Sequence, residues 1–136
     1  MCSDARRLAV LGRNGSGKTT LARVMAGLTM PSGGSVKIAG IEVGRDRRGA
    51  LGAVGILFQN PDHQIIFPTV EEELAFGLTQ MGLTKAEVAK RVQRTLAQFG
   101  KQGWAGTAIH QLSQGQRQLV CLMAILAMAP KVIILD

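Results

Sequence analysis

Eight consecutive residues, Gly12, Arg13, Asn14, Gly15, Ser16, Gly17, Lys18 and Thr19, followed by a second hydroxyl at Thr20, fit the pattern GxxxxGK[ST]. Glycines at that spacing let successive backbone N–H groups turn inward as an anion nest at a helix N-terminus. Lys18 then supplies a point charge to the β- and γ-phosphates of a nucleotide, the Thr19 hydroxyl is placed to ligate magnesium, and Thr20 adds a phosphate contact. The bland alternative is a chance glycine turn before an amphipathic helix, which the adjacent Lys18 and Thr19 and the flanking segments argue against. The pattern specifies a nucleoside triphosphate, and kinases, GTPases and motor ATPases all share it.

The flanks are those the loop needs. Leu8 to Leu11 is a short apolar run expected to be a strand, and Leu21, Val24, Met25 and Leu28 recur at helical spacing after Lys18. A Pro/Gly/Ser turn at 30–34 precedes Val36, Ile38, Ile41 and Val43, whose near-alternation predicts an antiparallel ribbon. Arg45 to Gly49 is expected to be a charged loop, and Val54 to Phe58 a buried strand.

From Pro68 the pattern turns helical. Thr69 is a capping residue, and Glu71, Glu72 and Glu73 sit where the helix dipole favours acids, with Phe76 and Leu78 closing the segment. Thr84 and Glu87 form a capping-box pair ahead of Val88, Val92, Leu96 and Phe99 on one face. Residues 68–110 therefore form a helical insertion. A third helix follows residues 111–115, with Leu119, Leu122, Met123 and Leu126 on one face, and Val132 to Leu135 is an apolar strand ending in Asp136.

Leu112, Ser113, Gln114, Gly115 and Gln116 resemble the LSGGQ signature of ATP-binding cassette (ABC) ATPases, with Gln114 standing where the first signature glycine usually does. By residue type alone, Ser113 also reads as a helix N-cap with a polar first turn. Gln59 resembles the glutamine of the Q-loop, and Val132 to Asp136 resembles the Walker B strand. The order and spacing of the glycine loop, Gln59, the signature and Asp136 extend the resemblance over essentially the whole chain.

Residues 58–77, with their FQNPDHQ and PTVEEELAFG segments, are most similar to the energy-coupling-factor subgroup of bacterial uptake ATPases. Within it the similarity to biotin-uptake ATPases is greatest, through His63, Ile65, Ile66 and LSQGQ, and cobalt and nickel uptake ATPases come next.

This resemblance implies an α/β fold: a P-loop, RecA-like core at 1–67 and 116–136, an antiparallel β ribbon, and an inserted helical subdomain with the signature at 68–115. It implies ATP and magnesium as ligands. Gly12 to Thr20 would hold ATP; Thr19, Gln59 and Asp136 would hold magnesium, with Gln59 also on the attacking water. Leu112 to Gln116 would contact ATP bound to a second ABC ATPase subunit, the same chain or a paralogue. Residues 60–76 would line the contact with an integral membrane coupling subunit, alongside a substrate-binding membrane subunit, at the cytoplasmic face of the bacterial membrane.

The sequence also departs from the family pattern. It ends at Asp136, before the glutamate that normally follows Walker B, the D-loop and the switch histidine, so it reads as a C-terminally truncated fragment that does not hydrolyse ATP normally by itself. No aromatic precedes Phe58, which leaves the adenine-stacking position unassigned.

A net charge of +7 would suit a polyanion partner, but the basic residues are scattered rather than clustered, which argues against nucleic acid. Cys2 and Cys121 share no metal-ligand spacing with His63 or His110. The longest apolar run, Leu119 to Ala129, is too short to cross a bilayer, and no apolar segment follows the basic N-terminus as a secretory signal would require. Only 53 residues separate Gln59 from Ser113, without sustained heptads, against the long coiled coil of ABC-type ATPases in chromosome maintenance. A non-catalytic nucleotide-binding regulator remains a third class.

Overall fold

The computed structural model describes residues 7–136. Helix α1 spans Lys18–Met25; strands β1 (Lys37–Ile38) and β2 (Ile41–Glu42) form the expected antiparallel ribbon, with Ile38 opposite Ile41. Helix α2 (Arg47–Ala53) leads into β3 (Val54–Leu57), and α3 (Val70–Gln80), α4 (Lys85–Gln98) and α5 (Gln114–Ala127) precede β4 (Val132–Leu135). β3 and β4 pair in parallel, Val54 opposite Val132 through Leu57 opposite Leu135, joined by the helical insertion. The result is an α/β chain whose parallel pair has its carboxyl ends side by side.

Three helices start on a reciprocal cap. The Thr69 hydroxyl accepts from the Glu72 N–H while the Glu72 carboxylate accepts from the Thr69 N–H; Thr84 with Glu87, and Ser113 with Gln116, repeat the arrangement. Each box satisfies two backbone donors that a helix start otherwise leaves open. The three helices bury one core of Val70, Leu74 and Leu78 from α3, Val88, Val92 and Leu96 from α4, and Val120, Met123 and Ala127 from α5, with Ile109 and Leu112 beneath. A smaller core joins Val43, Ala50 and Val54.

Helix α5 lies against β3 as well as α3 and α4. Close approach is possible because Gly55 carries no side chain: a Cβ there would collide with Cγ2 of Ile125. Packing on two sides also explains why the buried set of α5 is Val120, Cys121, Met123, Ile125 and Ala127, broader than a single stripe through Leu119, Leu122 and Leu126, which are half-buried.

Three expectations are corrected. Residues 8–11 form no strand: among the described residues β4 is hydrogen-bonded to β3 alone, and Leu8, Val10 and Leu11 are exposed. An extended apolar run becomes a strand only when a ladder partner takes its N–H and C=O groups. Residues 47–49 open helix α2 rather than closing a charged loop, because the Asp46 carboxylate accepts from the Gly49 N–H at 2.9 Å and caps the first turn. Helix α3 continues past Leu78 to Gln80.

Candidate nucleotide-binding site

The glycine loop leads directly into α1. Gly15 and Gly17 have φ of +83° and +95°, left-handed values that an L side chain adopts only at a cost, and nothing lies within 4 Å of where their Cβ atoms would be. Open space beside a left-handed backbone is what a nest of N–H groups needs for an anion to approach. Gly17 is also the N-cap of α1 and makes no side-chain cap, so among the described residues no side chain caps the first-turn amides.

The Lys18 ammonium donates to the carbonyl oxygens of Gly12 and Arg13, at 2.7 and 2.9 Å. Its charge is thereby folded back over the loop, at the mouth of the nest. The Thr19 hydroxyl donates to the Asp136 carboxylate at 3.1 Å, across 117 residues of sequence. Asp136 is anchored in turn by its own N–H, which donates to the Leu57 carbonyl at 3.0 Å and continues the β3–β4 ladder past its last pair. The carboxyl end of β3, where Gln59 follows two residues after Leu57, therefore adjoins the carboxylate. In parallel α/β sheets ligands bind at this end of the strands.

Thr19 and Asp136 fit magnesium as it is held beside a nucleotide: one carboxylate and one hydroxyl, both hard oxygens, leaving the other positions to phosphate and water. Among the described residues no three acidic, histidine or cysteine side chains cluster as a self-sufficient metal cage. Arg13, Asn14, Ser16 and Thr20 are exposed along the loop, and Ser16 closes its turn through an N–H bond to the Arg13 carbonyl at 3.0 Å. Gln59 is exposed.

The signature segment lies at the start of α5. Leu112 is buried, and Ser113, Gln114, Gly115 and Gln116 are exposed. Ser113 acts as an N-cap, its hydroxyl accepting from the Gln116 N–H at 3.2 Å while the Gln116 side chain accepts from the Ser113 N–H at 2.8 Å. Among the described residues no hydrogen bond or ion pair joins residues 112–116 to the loop at 12–20, so Thr19, Asp136 and the Gln59 end of β3 come together and the signature stands apart.

Several positioning residues escaped the sequence reading. The Glu73 carboxylate accepts from the N–H groups of both Ile66 and Phe67, at 3.0 and 2.9 Å, and fixes the loop before α3. Arg117 donates to the Leu112 carbonyl at 2.8 Å and pairs with Asp62 at 3.1 Å, a proximity in which its Nε–H makes no aligned hydrogen bond. Asp62 and Arg117 border an open groove of about 520 Å³ whose walls include Ile65, Ile66, Phe67, Ile109 and His110. His63 is an exposed side chain. Half-buried Trp104 packs on the helical core under the Lys101 ammonium, 4.7 Å from its ring. Burial pushes the Cys121 thiol up to about 12, with the negative charges of Glu73 and Asp62 adding to the shift; Cys2 lies outside the described residues.

The sequence profile of the ABC transporter family matches residues 2–136. The chain belongs to the ABC transporter family. It is 54% identical over 131 residues to the biotin transport ATP-binding protein BioM of Rhodobacter capsulatus, covering 96% of this chain and 56% of that relative. Against BioM of Rhizobium etli the identity is 44%, with 96% and 58% covered. Among solved structures, cbiO1 of Clostridium perfringens, part of the ABC transporter complex cbiONQ, superposes with a TM-score of 0.71 at 36% identity, over 93% of this chain and 51% of that one. The chain thus spans a little over half the length of these relatives. No helix among the described residues is long and apolar enough to cross a membrane.

Proposed function

We propose that this chain is the nucleotide-binding part of an ATPase subunit that energises a micronutrient importer of the energy-coupling-factor type, with biotin as the solute. The observation that carries the reading is the Thr19–Asp136 hydrogen bond, which sets the hydroxyl of the glycine loop against a carboxylate at the end of β4, whose N–H is bonded to the end of β3. The two biotin transport relatives support the solute. A second solute class, cobalt or nickel, follows from the same resemblance of residues 58–77.

In this reading residues 1–67 and 116–136 are the nucleotide core and 68–115 a helical arm. The N–H groups of residues 13–19 cradle the phosphates, and Lys18 leaves the Gly12 and Arg13 carbonyls for the β- and γ-phosphate oxygens. Bound magnesium would supply a Lewis acid that neutralises charge on the phosphate oxygens. Thr19 and Asp136 hold the positions it occupies, and Gln59 orients the attacking water. Ser113, Gln114 and Gly115 face the nucleotide of a second ABC ATPase subunit, which accounts for their exposure and their distance in contacts from the loop. The groove at Ile65, Ile66 and Phe67 receives the integral membrane coupling subunit, and in this reading the subunit sits at the cytoplasmic face of the membrane with a substrate-binding membrane protein in the same complex.

The test is to purify the full-length natural polypeptide carrying these residues from detergent-solubilised membranes. An integral membrane partner, biotin in its binding protein by mass spectrometry, and ATP hydrolysis that disappears in Lys18→Ala are the expected results. Cobalt or nickel in place of biotin would shift the solute alone, and a soluble ATPase without a partner would contradict the transport reading.

A further inference from the structure

Two glutamine side chains hold the end of β3 just before Gln59. Gln64 is aligned with the strand like a short neighbouring strand: its Oε1 accepts from the Phe58 N–H at 3.1 Å and its Nε2 donates to the Ile56 carbonyl at 3.2 Å. Leu57 meanwhile directs its carbonyl to Asp136. Gln118, in the second turn of α5, donates from Nε2 to the Phe58 carbonyl at 3.1 Å. That carbonyl belongs to the peptide group whose nitrogen is that of Gln59, so the bond fixes the plane from which Gln59 departs. Both polar groups of Phe58 are thus held by side chains, one from the loop after the strand and one from the helix that begins at Ser113.

We propose that Gln118, seconded by Gln64, is a positioning residue that sets Gln59 and ties its placement to α5. The tie is stiff. Gly55 lets α5 sit directly on β3 through Ile125, and among the described residues the buried Gln118 side chain makes one hydrogen bond, from Nε2 to Phe58, while its Oε1 has no partner. Displacement of the signature end of α5 would therefore pull the Phe58–Gln59 peptide, linking positions 59 and 118 across a gap that neither the glycine loop nor Asp136 spans. This inference rests on the role proposed above for Gln59.

The experiment is a double-mutant cycle in the full-length subunit with its membrane partners. Gln118→Met keeps the side chain's length and loses the donor; Gln118→Glu replaces the donor by an acceptor and serves if the methionine variant does not fold. Kcat for ATP hydrolysis, Kd for ATP and Tm are measured for Gln118→Met, Gln59→Ala and the pair. Gln118→Met should lower kcat about 5- to 10-fold, the worth of one neutral hydrogen bond, with Kd for ATP unchanged. The double variant should be no slower than Gln59→Ala alone, because Gln118 acts through Gln59. Without nucleotide, amide exchange at Phe58 should quicken in Gln64→Met, which removes its acceptor. Additive losses, or a lowered Tm with normal kcat, would overturn the inference and leave the role of Gln59 standing. Unchanged hydrolysis in Gln59→Ala would overturn that role, and the inference with it.

Discussion

The helical region and the glycine-loop region are built on different terms. Helices α3, α4 and α5 each carry their own start signal in a capping box, and they bury Leu74, Leu78, Leu96 and Met123 almost completely against one another. Around the nucleotide loop the order is reversed: Leu8, Val10, Leu11 and Leu21 are exposed, the ribbon strands are two residues long, and the defining contact is a polar bond between Thr19 and Asp136. One region is held by apolar burial, the other is built around an open glycine loop, a lysine and a carboxylate. Burial stabilises a fold, whereas unsatisfied donors and open space mark a place kept for a ligand.

Substitutions separate the two regimes. The largest effect is expected from Lys18→Ala, which should cut ATP hydrolysis by the full-length subunit at least about 100-fold while thermal unfolding stays near wild type, as loss of a charge-stabilising donor does. In the helical region Leu74→Ala should lower unfolding free energy by about 2–5 kcal/mol in a denaturant titration, since Leu74 is fully buried. Leu11→Ala, at 91% exposure, should change it by less than about 0.5 kcal/mol in the same titration. Equal costs at the two leucines would erase the contrast.

Ser113 belongs to the helical region through its cap and, in the proposed function, to the nucleotide site of a second subunit. Ser113→Ala removes the α5 cap and should cost about 1 kcal/mol of stability. If the residue also reaches a nucleotide on a second subunit, hydrolysis should fall further than the stability loss accounts for, whereas Ser113→Asp restores the cap without restoring turnover. A pH-dependent effect belongs to Cys121. Its thiol is raised from 9.0 to about 12, so the unfolded chain loses this proton first, and the contribution to stability, full below pH 9, should decline as pH rises from 9 toward 12. Cys121→Ala should flatten that part of the stability–pH curve.

Local signals were the legible ones. Glycine-loop residues 12–19, the cap at Thr69, the capping pair at Thr84, and the alternation at 36–43 all depend on neighbours within a few residues, and each leads to the element it signals. The strand expected at 8–11 depends on a ladder partner, which a run of apolar residues does not name. Helix α2 was hidden by two glycines in RRGALGA, although Asp46, three residues before Gly49, was its visible cap. The contacts that shape the candidate site, Gln64 and Gln118 on Phe58 and Arg117 on Asp62, are pairings of unremarkable polar residues. Only the pairing of β3 with β4 and the seating of α5 on Gly55 bring them together.

The site itself is tested most directly by equilibrium binding of ATP to the full-length subunit, with and without magnesium, in wild type, Thr19→Ala and Asp136→Asn. Magnesium should tighten ATP binding in the wild type, and each substitution should weaken the magnesium requirement by about 10- to 100-fold in metal affinity while magnesium-free binding is unchanged. Magnesium dependence that survives intact in both variants would contradict a single nucleotide site built from the glycine loop and Asp136.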